Sequence, residues 1–394
     1  MLQKIDKRIF TTLFFSLFAS VTGVGIVVPL LPVYAHDLGA GGLYIGFIFG
    51  AFSLSRTVFI PYFGRMSDKK GRKPYIVAGL LGYALISIAF IFSKSVDSLI
   101  AIRFLQGIAS AMLMPVVQAY VGDITPVGRE GFTMGMFNIA VFLGLSAGPL
   151  IGGIVNDRLS LDAAFIAMGL LAFFGFLLSF FMLPSKKSEQ VICKPRQPVE
   201  WKLILKDRMI LGLIIFRFAY TTCIGIIWGF MPVFMATEFG FSSSLIGVLV
   251  MLGVFTSGVL QIPSGFIADR VNKRNMVAAG GFITGAAIFY FAFAGNFSQL
   301  FVANLVFGIG GGISTPALMA IAVLKGRATD SMGSVMGLMT FAHSFGMLAG
   351  SIFAGIMMDM MMLRQAFSYG ALIMVSGTLL FVFVSGNRLT EKVF

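Results

Sequence analysis

The sequence predicts an all-α membrane protein of twelve transmembrane helices, arranged as two parallel six-helix pseudo-repeats. Three observations carry this. A mean hydropathy of +0.94 with only 11% charged residues leaves too little polar surface to cover a soluble globule of 394 residues. Apolar runs of the length that crosses a hydrocarbon core, about 20 residues, follow one another along the chain. Landmark residues recur at spacings of 201 and 202 positions.

The runs lie near 9–34, 43–64, 74–93, 98–121, 131–154, 162–183, 209–235, 243–264, 275–294, 300–324, 331–357 and 365–385. Backbone amides in lipid must find partners within their own segment, so such runs are helices; a membrane barrel would show short alternating segments instead. The basic start and the apolar stretch to Gly25 have the outline of a signal peptide. The run continues through Pro29 and Pro32 to Tyr34, too long for a signal core, so it is expected to stay as the first helix.

Charge sets the expected orientation. Assigning the loops alternately to two sides places 23 Lys and Arg on one side and three, Lys94, Arg158 and Arg364, on the other. By the positive-inside rule the rich side, with both termini, is cytoplasmic. The net charge of +13 then reports topology and contact with anionic lipid heads in an inner (plasma) membrane, and it calls for no nucleic-acid partner. Cys193 and Cys223 form no disulfide or metal framework, and His36 and His343, the two histidines, form no metal cluster. No cofactor is expected: GIGGG at Gly308–Gly312 follows no strand, and GLSAG at Gly144–Gly148 lies in a span instead of on a strand-to-helix elbow.

The repeat defines the domains. Gly64 and Asp68 stand over Gly265 and Asp269 at an offset of 201, while Gly135, Gly144, Gly148, Gly153 and Asp157 stand over Gly337, Gly346, Gly350, Gly355 and Asp359 at 202. Because six is even, both copies enter the membrane in the same sense. Residues 1–183 are the first bundle, 184–208 a basic cytoplasmic linker with a surface helix over Trp201–Asp207, and 209–394 the second bundle.

Three motifs sit on this frame. GRMSDKKGRK, Gly64–Lys73, places Gly64, Asp68, Gly71 and Arg72 between the second and third spans; it is expected to be a loop turned by its two glycines. RFLQGIASA, Arg103–Ala111, lies in the fourth span. Gly135–Gly153 in the fifth span reads G-x8-G-x3-G-P-x2-G-G, with Gly144, Gly148 and Gly152 on one helix face, Pro149 interrupting the hydrogen-bond ladder, and Gly153 beside it.

With its six-plus-six plan and basic central loop, the chain resembles the major facilitator superfamily of transporters over essentially its whole length, in particular the drug-exporting antiporter branch. The resemblance implies alternating access around a central cavity lined by spans 1, 2, 4, 5, 7, 8, 10 and 11. It implies a cytoplasmic latch built from Asp68, Arg72 and Asp123, with Asp269 in the second copy, and a place for span 5 between the halves where its motif biases the protein to export. Arg103, with Gln106, matches a motif linked to proton coupling or transport.

The embedded ionisable residues bear on the substrate, since such groups are costly in lipid. They are Arg56, Arg103, Arg217 and His343, with no Asp or Glu well inside a span. Arg56 and Arg217 have Ser257 and Ser16 at the matching repeat positions, so architecture alone does not demand them. Either they receive an anionic or phosphate-bearing group, which guanidinium binds in a fork, or they snorkel to the surface. His343 is a candidate proton carrier or substrate contact. The first span lacks the carboxylate usual in the family's cation exporters, which weighs against a cationic substrate. The expected function is export of a small amphiphilic molecule in exchange for protons by a monomer in a lipid bilayer. Uptake of an organic anion by symport and a non-transporting receptor on the same fold are the alternatives, and neither is an enzyme.

Overall fold

A computed structural model of the chain describes residues 7–125, 130–184, 206–328 and 332–386. Linker residues 185–205, with most of the expected surface helix and with Cys193, lie outside the described residues. Twelve helices appear in them: α1 (Lys7–Asp37), α2 (Gly42–Lys70), α3 (Lys73–Phe92), α4 (Val96–Asp123), α5 (Glu130–Arg158), α6 (Leu161–Met182), α7 (Arg208–Phe239), α8 (Ser243–Arg270), α9 (Lys273–Phe293), α10 (Phe297–Ala328), α11 (Met332–Met360) and α12 (Leu363–Ser385). All 12 are long and apolar enough to cross a membrane. Large apolar side chains such as Phe92 and Phe383 lie exposed on the outside, which is stable when lipid is the solvent.

The predicted order holds, and the main difference is length. Hydropathy marks where a helix leaves lipid, not where its hydrogen bonds stop, so α2 and α8 run on past the apolar run into charged residues. Gly64 is therefore helical, not part of a turn, and Ser67 Oγ donates back to its carbonyl at 2.8 Å. The reversal between α2 and α3 falls on Gly71 alone, at φ 91° and ψ 159°, a region that a side chain disfavours. In the second copy Asn272 replaces this glycine and turns the chain as an N-cap, accepting from the amides of Arg274 and Asn275 at 3.0 and 3.4 Å.

By its contacts the chain divides into two compact units, Met1–Ile192 with Pro232–Met251, and Cys193–Met231 with Leu252–Phe394. In the first, α1 packs on α5 and α6, α2 on α4, and α3 on α4 and α6; in the second, α9 packs on α10 and α12, and α11 on α10 and α12. Close helix approaches recur at repeat positions. A Cβ on Gly79 would come within 3.1 Å of the Ala109 carbonyl, and one on Gly280 within 2.6 Å of the Gly310 carbonyl. Gly107 lets α4 touch the Phe52 carbonyl of α2, as Gly308 lets α10 touch the Gly253 carbonyl of α8. The duplication read from the sequence is thus also a duplication of packing.

Candidate functional site

Where the end of α2, the start of α3 and the end of α4 meet, Arg72 joins three partners. Its Nη1 pairs with Asp68 one helical turn earlier and donates to Ser67 Oγ at 2.8 Å, while Nε donates to Asp123 Oδ2 at 3.0 Å. Gly71 places Arg72 at the start of α3 facing both helix ends. The three latch residues read from the sequence therefore meet within one unit. Asp269, the repeat partner of Asp68, is exposed at the end of α8. The second copy has diverged chemically: at the end of α10, Lys325 pairs at 2.7 Å with Asp207, which also accepts from the amides of Met209 and Ile210 at the start of α7. Arg274 donates instead to Ser385 Oγ and the Val382 carbonyl at the end of α12. Sequence reasoning missed both arrangements, because they join residues more than 100 positions apart.

The motif in α5 has two working faces. Gly144, Gly148 and Gly152 lie against α1: a Cβ on Gly148 would stand 2.5 Å from the Thr22 carbonyl oxygen and 2.6 Å from Gly25 Cα, and one on Gly152 2.7 Å from the Ile26 carbonyl. The stacked glycines thus serve close packing with α1, a helix of the same repeat. The other face, Pro149 and Gly153, meets the first turns of α8: a Cβ on Gly153 would lie 2.9 Å from Ser244 Cα. At the end of α5, Asp157 Oδ1 accepts from the Ser243 amide at 3.0 Å and Oδ2 from the Ser244 amide at 2.7 Å. Asn156 Nδ2 donates to Ser243 Oγ at 2.8 Å. The surroundings of Gly135 lie outside the described residues.

The embedded cations divide into held and unfilled. Arg103 is buried between α2 and α4, with Nε donating to the Ile48 carbonyl at 3.4 Å and Nη1 to Gln106 Oε1 at 2.7 Å. Its guanidinium carbon lies 4.5 Å from the Phe52 ring centroid and 5.2 Å from that of Phe49, a cation–π pairing on both. Gln106 is fully buried, its amide nitrogen 4.0 Å from Met168 Sδ on α6. By contrast, the buried Nε of Arg56 and the buried Nε of Arg217 have no hydrogen-bond acceptor. Arg56, on α2, has Tyr83 of α3 in electrostatic range. Arg217, on α7, has Tyr220 one turn on. The tyrosines escaped the sequence reading because nothing local distinguishes them from interfacial aromatics. His343 is half-buried on α11, one residue after Ala342, whose carbonyl accepts from Thr221 of α7 at 3.2 Å. Cys223 is a buried free thiol.

Comparison with known proteins agrees with this architecture. The sequence model for the Major Facilitator Superfamily matches twice, over residues 13–225 and 213–393, once for each repeat. An uncharacterized MFS-type transporter of Methanocaldococcus jannaschii is 28% identical over 94% of this chain and 96% of its own length. Multidrug resistance protein 2 of Bacillus subtilis is 25% identical over 94% of each. The crystal structure of the nucleoside transporter NupG superposes with a TM-score of 0.80 at 14% identity, covering 96% of this chain and all of that one. The chain belongs to the Major Facilitator Superfamily: it is a multi-pass membrane transporter, and not an enzyme.

Proposed function

We propose that the protein exports a small amphiphilic compound bearing an anionic or phosphate group across the inner membrane, by alternating access and in exchange for protons, as a monomer with both termini in the cytoplasm. The observation that carries the substrate class is the pair of unfilled donors, Arg56 Nε and Arg217 Nε, one in each unit. A buried donor to which no acceptor is supplied costs about 1–3 kcal/mol, more for a charged group. No carboxylate lies well inside a span to neutralise either cation. An anion delivered by the substrate supplies both charge and acceptor. Tyr83 and Tyr220, each within electrostatic range of one guanidinium, suit the amphiphilic remainder.

Export rests on the glycine–proline motif of α5 and on the likeness to the Bacillus multidrug resistance protein. The Asp68–Arg72–Asp123 cluster is the cytoplasmic latch, which opening inward has to break; Gly64, Gly71 and Asp269 support it. Arg103 and Gln106 position α2 against α4 around Arg56. His343 is the embedded group that exchanges the coupling proton, because imidazole ordinarily titrates near neutrality. The test is uptake of an anionic amphiphilic dye into inverted membrane vesicles under an imposed pH gradient, acid inside. Gradient-dependent accumulation that a protonophore abolishes, and that His343→Ala uncouples from the gradient, supports the reading. Accumulation indifferent to the gradient contradicts proton exchange.

A further inference from the structure

The outer ends of α5 and α8 carry a feature that the substrate reading does not use. The first amides of a helix have no partner inside it and present a positive dipole end. Helices α4, α6 and α9 satisfy theirs locally, through Ser95, Ser160 and Asn272. The helix α8 begins in the run Ser242, Ser243, Ser244, three local hydroxyls suited to the same task. Even so, its Ser243 and Ser244 amides are both taken by Asp157, from 86 and 87 positions away. The local bond from the Leu245 amide to Ser242 Oγ is long, at 3.5 Å.

Around this cap the backbones are in contact. Gly153 meets Ser243 and Ser244, and Gly247 meets Pro149 and Leu150, so a side chain on either glycine would overlap main-chain atoms. The contact lies inside the first compact unit, to which Pro232–Met251 belong, while α8 from Leu252 onward belongs to the second.

We propose that Asp157 is a positioning residue of the transport cycle, a releasable clasp whose carboxylate holds the start of α8 against α5. When the two part, the Ser242 hydroxyl takes over the Ser244 amide and the Ser243 amide turns to water, so release leaves the helix end with a side-chain cap. The substitution of a remote cap for an available local one is what makes the contact reversible. This proposal depends neither on the charge of the substrate nor on the coupling ion.

The test uses purified full-length protein in detergent with Ile246→Cys as reporter; Ile246 is 2% exposed in the second turn of α8. Labelling by a bulky maleimide is timed, with the protein lacking the reporter as background. Loss of a cap shifts an equilibrium by about 0.5–2 kcal/mol, so Asp157→Ala should speed labelling by roughly threefold to thirtyfold. Asp157→Asn, which keeps an acceptor oxygen but not the charge, should be intermediate and serves where the alanine variant folds poorly. Ser242→Ala, which removes the cap of the open form alone, should slow labelling both by itself and when added to Asp157→Ala. Labelling unaffected by either Asp157 variant overturns the proposal. So does acceleration by Ser242→Ala alone, which would make the local serine the working cap.

Discussion

Gly148→Ala is a direct test of the packing assigned to the α5 motif. The new Cβ would stand 2.5 Å from the Thr22 carbonyl oxygen, 2.6 Å from Gly25 Cα and 2.8 Å from the Gly25 carbonyl carbon, where ordinary contact begins at 3.4 Å. All three are main-chain atoms, so none can rotate away, and α1 and α5 must part locally by roughly an ångström. Overpacking of this kind costs about 1–3 kcal/mol, and the displaced stripe also loosens the neighbouring contacts of Gly144 and Gly152. The control is Gly337→Ala, at the repeat position of Gly135, where nothing lies within 4 Å of the added carbon. There the change removes only the helical penalty of glycine, worth about 0.5–1 kcal/mol in favour of alanine. Thermal unfolding in detergent, followed by a thiol-reactive dye that reaches buried Cys223 as the fold opens, should therefore give opposite signs. A Gly148→Ala protein that melts at or above wild type would refute the close approach of α1 and α5 as the reason for the glycine.

Other positions give sharper splits between stability and transport. Asp123→Asn removes the partner of Arg72 Nε in a pair whose carboxylate is 42% exposed. Exposed pairs contribute about 0–1 kcal/mol, so melting should hardly move while transport of an anionic dye falls, a result that equal losses in both measurements would contradict. Arg103→Ala leaves Gln106 and the Ile48 carbonyl without their donors and two aromatic rings without their cation. Leaving a buried acceptor unsatisfied costs about 1–3 kcal/mol, and two are left here, so melting and yield should fall, and wild-type yield and melting would show that the contacts do not hold α2 to α4. Gly71→Ala forces a side chain into a backbone region that costs of order 1–3 kcal/mol; its melting temperature should drop, and an unchanged value would count against the turn.

Much of the fold was legible because lipid imposes a strong rule on composition: a helix that spans it must be apolar for its whole crossing. The twelve runs follow from that rule, and the duplication shows in landmark residues that recur at 201 and 202 positions. Partners across the bundle obey no such rule. The α5 glycines announce a close approach, but their spacing does not say that α1 is the neighbour. Asp157 was visible as the repeat mate of Asp359, yet its bond to the first amides of α8 is invisible to any local pattern. The charged decamer was read as a loop because its residues leave lipid, whereas Lys, Arg and Asp are compatible with a helix in water, and α2 simply continues to Lys70. The end of α10 shows the same limit from the other side: Leu324 stands at the repeat position of Asp123, and the ion pair there is made by the next residue, Lys325, with Asp207.

The central claim is that buried, unfilled guanidinium donors select an anionic compound. Equilibrium binding of two fluorescent amphiphiles alike but for the sign of their charge, to purified wild type, Arg56→Ala and Arg217→Ala, tests it most directly. The account predicts that wild type prefers the anion, that each alanine variant weakens anion binding about tenfold or more, as the loss of a charge-assisted hydrogen bond worth roughly 1.5–3 kcal/mol requires, and that cation binding does not fall. Preference for the cation, retained in both variants, would contradict it.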